Sequence, residues 1–117
     1  MSTVRVILAL LALAGLATSA QAHAYLDHAS PLVGSTVTAP REVRLWFSQA
    51  LEPRFTSAQL RSDAGATIAT GSVDPADPKQ IVIPVRTLPP GKYKVFWKVL
   101  SVDTHRTQGS FGFEVKP

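Results

Sequence analysis

Four side chains in this sequence stand out as candidate metal ligands: His23, His28, Asp103 and His105. In "SVDTHRTQG" the carboxylate of Asp103 and the imidazole of His105 are spaced i, i+2, which in extended backbone sends both to one face. Their Cα atoms would then lie about 7 Å apart, close enough for both side chains to reach one ion. A D-x-H triplet at a strand end is also what a turn with a surface histidine looks like, so the pair alone decides nothing. His23 follows directly on the small-residue triplet Ala20-Gln21-Ala22. If the chain is cut after Ala22, His23 becomes the amino terminus, and its free amine and its imidazole can close a chelate ring on one cation. With His105 the set becomes three nitrogens, and Asp103 adds an oxygen. Tetragonal nitrogen and oxygen ligation favours Cu(II), the tightest binder among first-row divalent ions, whereas Zn(II) prefers a tetrahedron.

The leader gives the cut its basis. Arg5 supplies a basic start, "VILALLALAGLA" from Val6 to Ala17 is uncharged and apolar, and small residues follow up to Ala22. The run is shorter than the roughly 20 residues a membrane helix needs, so residues 1–22 read as a secretory signal peptide. A cut after Ala20 or Ala24 would instead leave His23 inside the chain or remove it. Cleavage after Ala22 leaves residues 23–117 as one domain, expected to be exported and soluble.

The cysteine count is zero, which removes thiolate metal sites and thiol catalysis and leaves stability to the hydrophobic core. Of 12 Lys and Arg residues, loss of Arg5 leaves 11 against 8 acidic ones, scattered along the chain. That pattern reads as a solvated surface and not as a nucleic-acid stripe.

The elements that must position the candidate ligands read as strands. "REVRLWFS" alternates, with Val43, Leu45 and Phe47 facing one way and Glu42, Arg44 and Ser48 the other, while Trp46 breaks the polar face. "KYKVFWKVLSVD" sets Tyr93, Val95, Trp97 and Val99 against Lys92, Lys94 and Lys98. "GSFGFEV" turns Phe111, Phe113 and Val115 inward, and its glycines mark close backbone approaches. Weaker strands fall near 58–62, 67–72 and 80–85, with turns at "SDAG", "DPADP" and "LPPGK". About seven short strands without a helical period predict an all-β fold, a small antiparallel Greek-key β-sandwich or barrel.

The mature start "HAYLDHASP", with "APREVRLWFS", "LPPGKYKVFWKVLSVDTH" and "GSFGFEV", resembles the CopC family of periplasmic copper-binding proteins over essentially the whole mature region. The resemblance implies a cupredoxin-like or immunoglobulin-like barrel and carries the Cu(II) ligands over to His23, Asp103 and His105. It also carries departures. Some members hold Cu(I) in a methionine-rich loop, but here the one methionine is Met1, so a Cu(II)-only member is expected. Tyr25 stands where many members have His, and His28 where they have a small residue. The family offers no role for His28, which is either a surface residue of the first strand or a flanking ligand. Gln49 occupies a position where relatives can carry an acid, and its amide can orient the terminal amine. Tyr25, Trp46 and Trp97 are read as core or barrel-end residues.

The leading expectation is a monomeric, non-enzymatic carrier or buffer for one Cu(II), able to deliver it to an inner-membrane importer. A copper-dependent oxidative enzyme of the polysaccharide-monooxygenase type, using the same histidine brace, is the alternative. Asp103 argues against it, because it fills a position that oxygen chemistry needs open. A plain adhesive β domain remains if the cut falls elsewhere.

Overall fold

A computed structural model describes residues 24–117; His23 and the predicted signal peptide lie outside the described residues. Eight strands follow in chain order: β1 (Leu26–Ser30), β2 (Thr36–Val37), β3 (Glu42–Phe47), β4 (Ser57–Ser62), β5 (Thr67–Asp74), β6 (Asp77–Pro84), β7 (Gly91–Leu100) and β8 (Arg106–Val115). A 3-10 turn at Pro53–Phe55 precedes β4. The strands form one curled sheet in the order β1-β3-β6-β5-β4-β7-β8-β2, antiparallel throughout except for β2 on β8. Strands β4, β5 and β6 run as consecutive hairpins and β7 returns beside β4, which is the Greek-key order predicted from the turn spacing.

Curling is built into β5. Its first part pairs with β4 and its last part, Ser72 to Asp74, pairs with β6, so the strand passes from one half of the barrel to the other at Gly71. A Cβ at Gly71 would lie 2.5 Å from Ile83 Cγ1 and 2.6 Å from the Val82 carbonyl oxygen, so only glycine fits this crossing.

Period-two alternation holds where it was clearest. Val43, Leu45 and Phe47 are buried from β3, Tyr93, Val95 and Val99 from β7, and Phe111, Phe113 and Val115 from β8. Trp97 shares the inward face but stays half-buried, with its ring edge-on to Phe47 at 5.2 Å. The ring leans across Gly109, where a Cβ would meet it at 2.5 Å, so one of the two expected close approaches is real. At Gly112 the nearest contact would be an ordinary 3.4 Å.

The expected β7 run reached Asp103, whereas the strand ends at Leu100. Strand β2 escaped the sequence reading because two residues carry no period. The curled sheet is drawn together near its β1 edge by the first described residue: Ala24 is fully buried and its carbonyl accepts a 2.8 Å hydrogen bond from Thr107 Oγ1 on β8.

Candidate metal centre

Asp103 and His105 meet, though not as an extended D-x-H would bring them. After β7 the chain turns: Thr104 N–H donates to the Ser101 carbonyl at 2.9 Å, and Ser101 N–H donates to the His105 carbonyl at 3.0 Å. The turn needs Thr104 in the left-handed region, at φ +71°, which is uncommon for a β-branched residue and costs about 1 to 3 kcal/mol. The extended reading is thus corrected, and the convergence it predicted is produced by a tight turn. Asp103 Oδ2 lies 3.3 Å from His105 Nδ1; the two side chains are 35% and 44% exposed, while the Nδ1 atom itself is buried.

Three neighbouring features hold this turn. Ser101 is fully buried, and its hydroxyl bonds the Asp103 carboxylate and lies 3.2 Å from the His105 carbonyl oxygen. The segment after β3 clamps the loop from the side, since Val102 N–H donates to Ala50 at 3.0 Å and Glu52 N–H to Leu100 at 2.8 Å, with buried Leu51 bridged to Ser101. The incoming chain is tied to the same end through Ala24 and Thr107, and through a two-way contact in which Ser48 N–H donates to the Tyr25 carbonyl and Tyr25 N–H to Ser48 Oγ, each at 3.0 Å. Gln49 therefore sits half-buried between a residue bonded to the incoming chain and one bonded to the Asp103 loop.

The Ser101 hydroxyl holds the Asp103 carboxyl below the ordinary carboxylate range; partial desolvation opposes this, and the His105 ring adds to it. Asp103 is accordingly an anion at neutral pH. Among the described residues no group of three or more His, Cys, Asp and Glu side chains is placed to hold a metal ion. His23, the third donor expected from the sequence, lies outside them.

His28 belongs to another surface. It pairs with Trp46 in register, its ring stacks on the indole with centroids 4.4 Å apart, and its Nδ1 lies 2.8 Å from Asp27 Oδ2. Trp46 is the half-buried residue that broke the polar face of β3, and the imidazole is what covers it. Tyr25 is 60% exposed at the barrel end and is not a core residue.

Sequence reasoning assigned no role to Ser101 or Thr107. Ser101 stands inside the quoted S-x-D-T-H run, and Thr107 is a polar residue at an inward β8 position ahead of Gly109, Phe111 and Phe113. Both carried a readable signal.

The class is set by a small Greek-key β domain with a carboxylate–imidazole pair near the end where its amino-terminal segment is anchored. The CopC domain model matches residues 26–116, and the chain belongs to that family. It is 40% identical over 105 residues to Copper resistance protein C of Pseudomonas syringae pv. tomato, covering 83% of each chain. It is 36% identical to Protein YobA of Escherichia coli K12 over 97% of this chain and 95% of that protein. Among solved structures, CopC from Methylosinus trichosporium OB3b superposes with a TM-score of 0.76 at 30% identity, over 81% of this chain and 95% of that one. PcoC, described as a methionine-rich copper resistance protein from Escherichia coli, gives 0.71 at 36% identity, over 80% and 99%.

Proposed function

We propose that the exported protein is a periplasmic carrier or buffer that binds one Cu(II) through the amine and imidazole of His23, the Asp103 carboxylate and the His105 imidazole. The observation that carries the reading is the Asp103–His105 pair at 3.3 Å, beside the β8 position that anchors Ala24. Two donors about 2.0 Å from one ion are roughly 2.8 to 3.3 Å apart at angles of 90 to 110°, so the pair has the bite of neighbouring ligands. Residue 23 is one peptide unit, about 3.8 Å between Cα atoms, from Ala24, and the bond of Ala24 to Thr107, two residues beyond His105, supports a terminal chelate on this side of the barrel.

The donors also favour copper in its higher oxidation state. Three nitrogens and an anionic oxygen suit Cu(II), while Cu(I) prefers thioether or thiolate sulfur. PcoC is described as methionine-rich; this chain has no cysteine and one methionine, Met1. An anionic ligand at the metal also fills a position that oxygen or peroxide would need, which favours carrying over oxidative chemistry.

Intact mass of the exported protein, with and without Cu(II), tests the reading. A mass beginning at His23 that gains one copper is expected, and a terminus at Gln21 or Tyr25 overturns the ligand set. A glycine added ahead of His23 should abolish tight binding, because it turns the chelating amine into an amide while leaving every side chain in place.

A further inference from the structure

The basic residues that look scattered along the sequence are gathered by strand register. Arg61 of β4, Lys92, Lys94 and Lys98 of β7 and Arg106 of β8 all occupy outward positions of three adjacent strands. Against these cations the face sets Glu114, opposite Lys92, with Asp63 at its far margin. The other half of the barrel behaves differently. There Arg44 is matched by Asp74 at 2.8 Å and Glu42 at 3.2 Å. Among the described residues none of Lys92, Lys94, Lys98 and Arg106 makes an ion pair.

Two features show that this segregation is not ordinary surface decoration. Lysines commonly protect sheet edges from pairing with other chains, but β7 lies inside the sheet between β4 and β8 and needs no such protection. Arg61 and Lys94 are direct cross-strand partners, an arrangement of like charges that destabilises a sheet. Arg61 is moreover held in place: its Nε and Nη2 bond Gln59 Oε1 at 3.2 and 2.9 Å, and its guanidinium lies 4.4 Å over the Phe96 ring. The fixed guanidinium lines a groove of about 420 Å³ together with Lys98, Gln108 and Ser110.

We propose that the outward face of β4, β7 and β8 is a docking surface for an acidic, extended segment of a partner protein, whose carboxylates meet Arg61, Lys94 and Lys98. A guanidinium immobilised before binding loses little freedom on pairing, and the amides of Gln59 and Gln108 are placed to bond a peptide backbone. The concave shape suits a chain better than a flat bilayer. Phe55 and Val33 are exposed at the margins of the face, beside Lys98 and Arg106 and beside Lys92 and Lys94, but the outward positions between them on β4, β7 and β8 carry no exposed large apolar side chain that would insert into lipid. The surface is independent of the copper reading, since none of these residues is a proposed ligand.

The test uses the exported protein and a fluorescein-labelled peptide of alternating Glu and Ser, followed by anisotropy at low salt and by backbone amide NMR shifts. Saturable binding is expected, weakening with added salt, with shifts confined to β4, β7 and β8. The double variant Lys94→Glu with Lys98→Glu should bind at least about tenfold more weakly. Lys79→Glu with Arg86→Glu, an equal charge change outside this face, should bind within about twofold of the parent. Lys94→Glu alone faces Arg61 with an opposite charge, so it should raise Tm by about 1 to 5 °C while weakening peptide binding. That combination excludes misfolding as the cause of lost binding. Equal losses in the two double variants, absence of peptide binding, or preferential binding to phosphatidylglycerol vesicles would each overturn the proposal.

Discussion

In the proposed site Asp103 and His105 would divide the work of holding Cu(II) unequally, and substitution should show it. The Asp103 carboxylate adds negative charge that favours the higher oxidation state, so Asp103→Ala should weaken Cu(II) retention and raise the reduction potential, as read by competition titration and voltammetry. His105→Ala should weaken binding further, because no cysteine and no methionine beyond Met1 is present to replace the imidazole. Thr104 bears on the same pair through the backbone alone. Its φ of +71° suits asparagine better than a β-branched residue, so Thr104→Asn should raise stability by about 0.5 to 1 kcal/mol in urea unfolding and leave Cu(II) affinity within about twofold. The pairing of Asp103 with His105 was legible from their i, i+2 spacing, but its geometry was not. Spacing cannot tell a strand from a turn, and here the hydrogen bonds of Ser101 close a turn.

Strands that bury one face announce themselves by period two, and β3, β7 and β8 could be read residue by residue for that reason. What escaped is whatever depends on which strand lies beside which. Strand β2 is too short to carry a period, and it exists only because β8 offers it an edge. The basic residues of β4, β7 and β8 come from separate stretches of chain and become neighbours through register. The glycines show the same division. That Gly109 marks a close approach could be read, but that Trp97 fills the space could not. Gly109→Ala must push an indole ring aside and should cost about 1 to 3 kcal/mol, with a shift in tryptophan fluorescence. Gly71→Ala should cost more in the same urea unfolding experiment. Its Cβ would meet the Val82 carbonyl oxygen at 2.6 Å, and backbone in the middle of a sheet cannot move aside as a side chain can.

At the scale of the whole molecule, pH acts on the fold and on the proposed copper site in separate windows. Asp74 is held below the ordinary carboxylate range by the Ala76 N–H and then by Arg44, and Asp77 by the Lys79 N–H and then by Gln80. Groups with depressed values contribute stability that is complete above their unfolded values, near about pH 4, and lost as pH falls through the lower folded ones. The metal-free protein should therefore unfold at nearly the same urea concentration from about pH 8 to 5 as far as these groups are concerned, and weaken below that. Copper binding responds higher up. A terminal amine with an ordinary value of about 7.7 to 8.0 must lose its proton before it can coordinate, so affinity falls as pH drops through the same 8 to 5 range. A ligand that binds only the folded state adds about 2.7 kcal/mol at one hundred times its Kd, which for a domain of this size raises Tm by roughly 10 °C or more. The Tm gain on adding one equivalent of Cu(II) should accordingly be large at pH 8 and shrink toward pH 5 while the metal-free Tm holds steady. A variant with glycine ahead of His23 should show little gain at any pH. If that variant kept the full gain, or if the gain in the parent did not change between pH 8 and 5, the terminal amine would not be a ligand, and Asp103 and His105 would need partners other than His23.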